Sequence, residues 1–411
     1  MIKINSIILF FFLAYKFEKC YNYLVKKESA LNGKLNITLT VASGVEKALK
    51  SELSRLGYGE TSAVNGNIDL VGDIYDVASL NVNLRTADRV YVKLLTAKVD
   101  TFDQIFDSVY NLDWASYLSE EACVLVNGKC VKSKIYAISA CQSIIKKAIS
   151  KKLCQQYKVN RLSEIGETCG IFFSIFKDEF SLYLNTSGTG LHKRGYRNLV
   201  GIAPIKETLA SALLLYSDFY KTRPFHDPFC GSGTLAIEGA KIALNIAPNL
   251  ERDFDFCSFY GVDKKIIKTV REKAIDLERR DTEIDFSASD IDPKAIKLAK
   301  THAERANLAN KIKFFVKDVK DLTLTSNYGT IVTNPPYGER VYDKEEAELC
   351  YKGLKKVLEN KPNWSLFLIT SHKGFEKFYG KKADRVRKLY NSNKECNYYY
   401  YYGERNDVRS V

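Results

Sequence analysis

The octapeptide Asp227-Pro228-Phe229-Cys230-Gly231-Ser232-Gly233-Thr234 lies between a short apolar stub, residues 224–227, and a run over 234–245 whose apolar residues recur at helical spacing. It therefore reads as the turn that closes a strand and opens a helix. Two glycines there let the backbone approach a bound group closely, and the first turn of the helix offers N–H groups without intrahelical partners. The spelling is neither G-x-G-x-x-G nor G-x-x-x-x-G-K-[ST], so no phosphate cradle is indicated.

Downstream, strands and helices alternate: strand 285–290, helix 293–307 bearing Ile296, Ala299 and Ala303, strands 313–317 and 329–333, helix 344–360 and strand 365–370. Just upstream, Pro204 opens an amphipathic helix carrying Leu209, Leu213 and Leu214. This alternation specifies a mostly parallel, doubly wound sheet with right-handed crossovers. The end departs from it, because 385–390 and 396–402, separated by the turn 391–395, read as an antiparallel hairpin. A parallel sheet finished in that way looks like the class I (Rossmann-like) methyltransferase fold rather than a dehydrogenase.

Toward the N-terminus, strand 35–41 is followed by Val45, Leu49, Leu53 and Leu56 at helical spacing, closed by Gly57. Strand 67–71, helix 73–83 and strand 89–99 complete a β-α-β-α-β unit of ferredoxin-like order. A second α+β cluster comprises helix 104–118, strand 122–126, helix 135–153 and a hairpin over 171–184 turning at Lys177 and Asp178. The segment 187–197, SGTGLHKRGYR, is rich in glycine and basic residues and reads as a connector with a positive face. Such a connector needs no ligand to explain it, yet Lys193, Arg194 and Arg197 are the residues expected to meet a polyanion. The expected organisation is a leader over 1–33, small modules over 34–100 and 101–190, a linker over 191–203 and a catalytic domain over 204–411.

Composition agrees with a polyanionic partner. Lys plus Arg number 62 against 49 Asp plus Glu, a formal charge of +13 in 411 residues, which favours RNA, DNA or an acidic surface through counterion release. The 10 cysteines and 4 histidines contain no C-x-x-C pair and no alternating cluster, so neither a zinc site nor a disulfide framework is expected. Near the start, Lys3 precedes an apolar run from Ile7 to Tyr15 and then a basic stretch, the look of a targeting signal leading to a plastid-like organelle. The run is far shorter than the roughly 20 residues that cross a bilayer, so no membrane anchor is expected.

Carboxylates recur at successive strand ends. Asp290 stands where a ribose with two free hydroxyls is gripped in dinucleotide-binding sheets, and Asp318 where an adenine amino group finds an acceptor. Asp227 can meet a charged amino-acid end, and S-adenosylmethionine has all three features. Cys230 reads as a small packing residue of the turn. After the fourth strand comes Asn334-Pro335-Pro336-Tyr337, where two prolines restrict the backbone and aim the Asn carboxamide oxygen and the Pro335 carbonyl at one point. Two acceptors on the N–H groups of a conjugated amine localise its lone pair toward a methyl sulfonium, and Tyr337 supplies a face for an extruded base. The run Tyr398 to Tyr402 is expected to place about half of its rings in the core, by strand alternation.

The stretches LHKRGYR (191–197), GIAPIKETLA (201–210), DPFCGSGT (227–234) and NPPYGER (334–340) together resemble the THUMP-domain RNA guanine-N2 methyltransferases, in particular the bacterial large-subunit rRNA enzyme. VNGKCVKSKIYAISACQSIIKKAI (126–149) resembles the THUMP part, and LYNSNKECNYYYYYG (389–403) the C-terminal hairpin. The resemblance implies that the N-terminal modules bind RNA and deliver a base to the catalytic domain. It implies a cofactor site at Asp227, Pro228, Cys230, Gly231, Gly233, Asp290 and Asp318, and a base site at Asn334, Pro335, Pro336 and Tyr337. The fused bacterial form carries a second methyltransferase domain without a counterpart here, so a second methylation is not expected. NPPY also occurs in DNA adenine-N6 and release-factor glutamine methyltransferases, which usually lack a THUMP module. A transfer RNA guanine is the nearer alternative target, and an inactive ribosome-assembly factor the non-enzymatic one.

Overall fold

The computed structural model describes residues 29–404, apart from 60, 62, 65, 198–204 and 339–343. The expected leader up to residue 28, the 198–203 part of the expected linker, Pro204 as the opening of a helix, and the Glu339-Arg340 end of the second motif lie outside the described residues. Strands β1 (Leu35–Thr40), β2 (Ala63–Val64), β3 (Asn67–Gly72), β4 (Arg89–Lys98), β5 (Cys123–Val131), β6 (Thr168–Phe176) and β7 (Glu179–Asn185) form one sheet in the order β2-β3-β1-β4-β7-β6-β5. The two small modules thus share a single sheet, joined where β4 pairs antiparallel with β7. Helices α1 (Glu46–Arg55), α2 (Ile74–Asn83), α3 (Phe102–Tyr110) and α4 (Ile138–Tyr157) alternate with these strands. Asp73 opens α2 with a reciprocal capping box to Asp76, and Lys177 and Asp178, both at positive φ, make the tight β6–β7 turn.

The helix expected over 104–118 stops at Tyr110, and the Trp114 indole N–H donates to the Val109 carbonyl (2.8 Å), satisfying one of the last acceptors of α3 from a separate short turn. The strand expected over 122–126 continues to Val131, because parallel pairing with β6 extends along its whole length.

The second sheet contains β8 (Phe225–Asp227), β9 (Phe286–Asp290), β10 (Ile312–Val316), β11 (Tyr328–Thr333), β12 (Asn363–Thr370), β13 (Arg385–Asn391) and β14 (Lys394–Tyr401). Its order is β10-β9-β8-β11-β12-β14-β13, parallel from β10 to β12 and antiparallel in the closing hairpin. Helices α5 (Glu207–Tyr216), α6 (Thr234–Ala243), α7 (Lys265–Asp276), α8 (Pro293–Arg305), α9 (Lys344–Glu359) and α10 (Phe375–Tyr379) complete the domain. Chain order reverses between β8 and β11, which opens a crevice at the carboxyl ends of the strands, where such sheets bind their ligands.

Tyr398, Tyr399, Tyr400 and Tyr401 are all buried, twice as many as strand alternation predicts for a half-exposed strand. The reason is position. Both faces of the sheet are covered at β14, so Tyr398 and Tyr400 enter the core on one face while Tyr399 and Tyr401 pack with Tyr351 and Phe375 on the other. The former core is continuous with that of the N-terminal sheet.

The segment expected to be a linker is instead an interface. Leu191 and Tyr196 are buried, and the Leu191 N–H donates to the Asp88 carbonyl (2.8 Å). Arg194 is 4% exposed and donates to the Leu191 carbonyl (2.7 Å), to Asn249 Oδ1 (2.9 Å) and to the Arg85 carbonyl (2.5 Å). Asn249 in turn donates to the carbonyls of Asn81 and Leu84, and Arg85 to that of Ile246. Hydrogen bonds between buried side chains and carbonyls of both bodies hold the two in one geometry. The start of the fold also differs from expectation, since Leu31 is buried and Ser29 donates through its hydroxyl to the Tyr260 carbonyl (2.7 Å). The folded body therefore includes the last residues set aside as leader.

Arg194 also stands 3.8 Å from Glu238, with both side chains fully buried. Arg194→Ala is expected to lower the unfolding free energy by about 3–5 kcal/mol in urea, because it strands a buried carboxylate and several carbonyls. Unchanged stability combined with lost RNA affinity would contradict this structural role.

Candidate active site

The glycine turn is shaped by contacts from β9 and α8. Gly231 and Gly233 have φ of +50° and +82°, values that disfavour other residues. A Cβ on Gly233 would stand 3.0 Å from the Ala299 Cβ of α8, whereas one on Gly231 would meet nothing within 4 Å and would project into open space at the strand ends. The Cys230 N–H donates to the Ser289 carbonyl (3.0 Å), the Gly231 N–H to Asp290 Oδ2 (2.9 Å), and buried His302 pairs through Nδ1 with the Ser232 carbonyl (3.0 Å). Pro228 is buried beneath the turn.

Asp290 also accepts the Asp292 N–H (3.0 Å), so each of its oxygens is half used and each retains acceptor capacity for a ribose hydroxyl. Asp318 accepts the Lys320 N–H (2.9 Å) through one oxygen and caps a short helical turn. Asp227 is 1% exposed and accepts from the Thr333 hydroxyl (2.6 Å) and the Phe229 N–H (3.2 Å). Burial pushes its carboxyl up to about 7, the two hydrogen bonds oppose this, and neighbouring Asp290 adds to it. The carboxylates converge electrostatically. Cys350, on α9, is pushed up to about 11 by burial first and then by Asp318, with a smaller part from Asp290.

These groups fit the adenosyl cofactor expected from the sequence. Open space stands over Gly231, two acceptors remain on Asp290, and the buried carboxyl of Asp227 is stabilised in its charged form by an incoming ammonium. Cys230 is buried and its thiol is raised well above its ordinary range by burial, Asp227 and Asp290, which leaves it a packing residue without a thiolate.

Asn334 follows β11 directly. Its Oδ1 accepts from the Tyr337 hydroxyl (2.6 Å), and that hydroxyl accepts from Asn391 Nδ2 (3.4 Å) on β13. Burial raises the Tyr337 phenol far above its ordinary range, so it stays a donor. Tyr337 therefore orients the carboxamide, a task its place in the motif does not disclose, and the Lys394 ammonium lies 5.9 Å from its ring centroid. Pro335 is buried, and the Pro336 carbonyl accepts from Tyr351 (2.9 Å), whose hydroxyl also meets Thr370 (3.2 Å). Tyr351, Asn391, Thr333 and His302 all support the site through contacts distant in sequence. Only Thr333, beside Asn334, carried a local signal.

The three basic residues of the connector separate. Lys193 is exposed. Arg194 belongs to the buried interface, and Arg197 donates to the Ile205 carbonyl (2.9 Å) and Thr234 Oγ1 (3.3 Å) and pairs with Glu207 at 3.2 Å. The expectation that Arg194 and Arg197 contact RNA is corrected accordingly: Arg194 is buried in the interface, and Arg197 braces the start of α6 through Nη1.

A crevice at the strand-order reversal, carboxylates at three strand ends and an antiparallel closing hairpin make this a class I methyltransferase domain. Comparison with known proteins identifies residues 194–400 as an RMKL-like methyltransferase domain, 36–91 as an RlmL ferredoxin-like domain and 99–185 as a THUMP domain. The chain belongs to this methyltransferase family. It is 40% identical over 373 residues to the "Putative RNA methyltransferase YpsC" of Bacillus subtilis (strain 168), covering 90% of this chain and 97% of that one. The crystal structure of SMU.472 complexed with SAH superposes with a TM-score of 0.86 at 36% identity, covering 90% of this chain and 99% of that one. A "predicted N6-adenine-specific DNA methylase" of Listeria monocytogenes superposes with a TM-score of 0.85 at 40% identity, covering 90% and 97%.

The elevated carboxyl of Asp227 has a sign that can be measured. Between its ordinary value of 3.8 and about 7 the folded protein holds a proton that the unfolded chain has released, so stability falls as pH rises through that window. The difference is on the order of 4 kcal/mol. Asp227→Asn is expected to flatten the fall in urea-unfolding free energy between these pH values without cofactor. Parallel curves for parent and variant would contradict the assignment.

Proposed function

We propose that the protein transfers a methyl group from S-adenosylmethionine to the exocyclic N2 amino group of a guanine in large-subunit ribosomal RNA. The observation that carries this reading is the carboxamide of Asn334, held at the end of β11 by Tyr337 and Asn391 beside the carboxylate crevice. An amide oxygen has two lone pairs, so Oδ1 can accept from a substrate amine while it keeps the Tyr337 bond. When bound, S-adenosylmethionine supplies an electrophilic methyl on a sulfonium, which leaves as a neutral thioether. Asp290 and Asp318 would hold its ribose and adenine, and Asp227 its ammonium.

Asn334 and the Pro335 carbonyl then accept the N–H groups of the target amine and direct its lone pair at the methyl. The nitrogen releases one proton once its bond to carbon has formed, and that proton can pass to solvent, so no dedicated base is required. His226 fits this view, because burial pushes its imidazole down to about 4 and its ring nitrogens pair with Ser287 and Ser289. Catalysis is positioning and electrostatics.

An RNA substrate is supported by the ferredoxin-like and THUMP modules, by the formal charge of +13 and by the name of the B. subtilis relative. The choice of guanine and of the large subunit rests on the resemblance of the quoted stretches to the THUMP-domain RNA guanine-N2 methyltransferases. The test is incorporation of labelled methyl into large-subunit rRNA, transfer RNA and duplex DNA. Label is expected in the rRNA, and Asn334→Ala is expected to reduce it by about 10²–10³-fold while cofactor affinity stays within about twofold. Label only in transfer RNA or DNA, or normal turnover by Asn334→Ala, would overturn the assignment.

A further inference from the structure

Helix α9 buries Ala347, Tyr351 and Leu354, the i, i+4 and i+7 positions of one face, in a core shared with Ile331, Leu366 and Leu368 of the sheet. Gly353 lets the same helix approach the turn that Asp318 caps, since a Cβ there would stand 3.1 Å from Lys320 and 3.3 Å from Val319. Seated in this way on the cofactor side, the helix reaches the proline turn through Tyr351. The Tyr351 ring is wholly buried and stands edge-on to Phe375 (centroids 5.0 Å apart, planes at 82°) and to His372 (5.5 Å, 71°), which fixes where its hydroxyl sits.

That hydroxyl is the middle of a chain of hydrogen bonds whose direction is determined by its two ends. At one end the His372 backbone N–H, which can only donate, donates to Thr370 Oγ1 (3.1 Å). At the other end the Pro336 carbonyl, which can only accept, lies 2.9 Å from Tyr351 Oη. Between them Thr370 Oγ1 and Tyr351 Oη stand 3.2 Å apart. Each hydroxyl has a single hydrogen, so one arrangement satisfies every group: Thr370 donates to Tyr351, and Tyr351 donates to Pro336. Burial pushes the Tyr351 phenol up to about 12 against the opposing effect of the Thr370 bond, so its hydrogen stays in place at neutral pH.

The chain ends inside the motif, two residues from Asn334. The rings of Pro335 and Pro336 fix both φ angles, and a residue before proline is confined to extended backbone, which leaves the Pro336 carbonyl as the loose end of the pair. Tyr351 holds that end.

We propose that Tyr351, supplied with a hydrogen by Thr370, is a positioning residue for methyl transfer: it draws the Pro336 carbonyl toward α9 and leaves the Pro335 carbonyl as the acceptor that meets the target amine beside Asn334 Oδ1. The Tyr351 hydroxyl touches no substrate, and its effect reaches the reacting nitrogen through the turn. With the turn released, the amine is held by Asn334 alone and its lone pair is aimed less often at the methyl, so the rate falls without a loss of binding. The inference rests on the reading of Asn334 and Pro335 as acceptors for an amine, and it applies to any base that carries one.

The test uses the full chain with whichever of large-subunit rRNA, transfer RNA or duplex DNA it methylates, and compares kcat, KM and affinity for S-adenosylhomocysteine. Tyr351→Phe, which deletes one oxygen, is expected to lower kcat about 10- to 100-fold with KM and S-adenosylhomocysteine affinity within about twofold. Thr370→Val is expected to lower kcat about fivefold, and Thr370→Ser to recover most of that loss. Tyr351→Phe combined with Thr370→Val is expected to be no slower than Tyr351→Phe alone, because Thr370 acts only through Tyr351. Leu354→Ala, on the same helix face but outside the chain, is the packing control: it is expected to lower the urea midpoint at least as far as Tyr351→Phe and to keep kcat within about twofold. Parental kcat in Tyr351→Phe, an equal loss in Leu354→Ala, or multiplying losses in the combined variant would overturn the relay while leaving methylation intact. Should Tyr351→Phe not fold, the Thr370 variants decide, and equal kcat for Thr370→Val and Thr370→Ser would overturn it. A parent chain that methylates none of the three nucleic acids would overturn both readings.

Discussion

The Thr333 hydroxyl at the end of β11 donates to the Asp227 carboxylate at the end of β8 (2.6 Å). Those two strands are neighbours only because chain order reverses between them. The bond therefore ties the cofactor side of the crevice to the base side at the one place where backbone pairing alone leaves the strand ends to diverge. Asn334 is the next residue, so its carboxamide inherits a position defined by the same contact. Around this pair the supports are graded: Asp290 and His302 shape the glycine turn, and Tyr337, Asn391 and Tyr351 fix the proline turn. None of these residues needs to change protonation for methyl transfer.

The buried polar contacts around Arg194, Asn249 and Glu238 perform a second task at larger scale. A connector with a solvated positive face would let the N-terminal sheet move relative to the catalytic domain. Here Arg194 and Arg197 are engaged by carbonyls and carboxylates within the fold, and one hydrophobic core runs through both bodies. Substrate held on the N-terminal sheet is thereby held at a defined place relative to Asn334, so less orientation must be found at each encounter.

Much of this was legible in the chain. The octapeptide at 227–234 and the Asn-Pro-Pro-Tyr turn are local signals, because a strand-to-helix junction and a doubled proline each constrain the backbone through neighbours in sequence. The alternation of strands and helices, the closing hairpin and the three strand-end carboxylates were legible in the same local way, from periodicity and position. What was not legible depended on contacts made at a distance. A basic residue reads the same whether it meets solvent or a buried carbonyl, which is why Arg194 and Arg197 were assigned to a surface. Tyr399 and Tyr401 were hidden for a related reason, since strand alternation cannot tell a sheet face covered by helices from a solvated one. Helix α7 escaped notice because its charged sequence buries only Val270 and Ala274.

The identity of the modified nucleoside tests guanine-N2 methylation most directly. Large-subunit rRNA lacking this modification, incubated with the protein and labelled S-adenosylmethionine, can be digested to nucleosides and resolved by mass spectrometry. The label is expected in N2-methylguanosine. Label recovered as N6-methyladenosine, or as a base methylated on carbon, would contradict it.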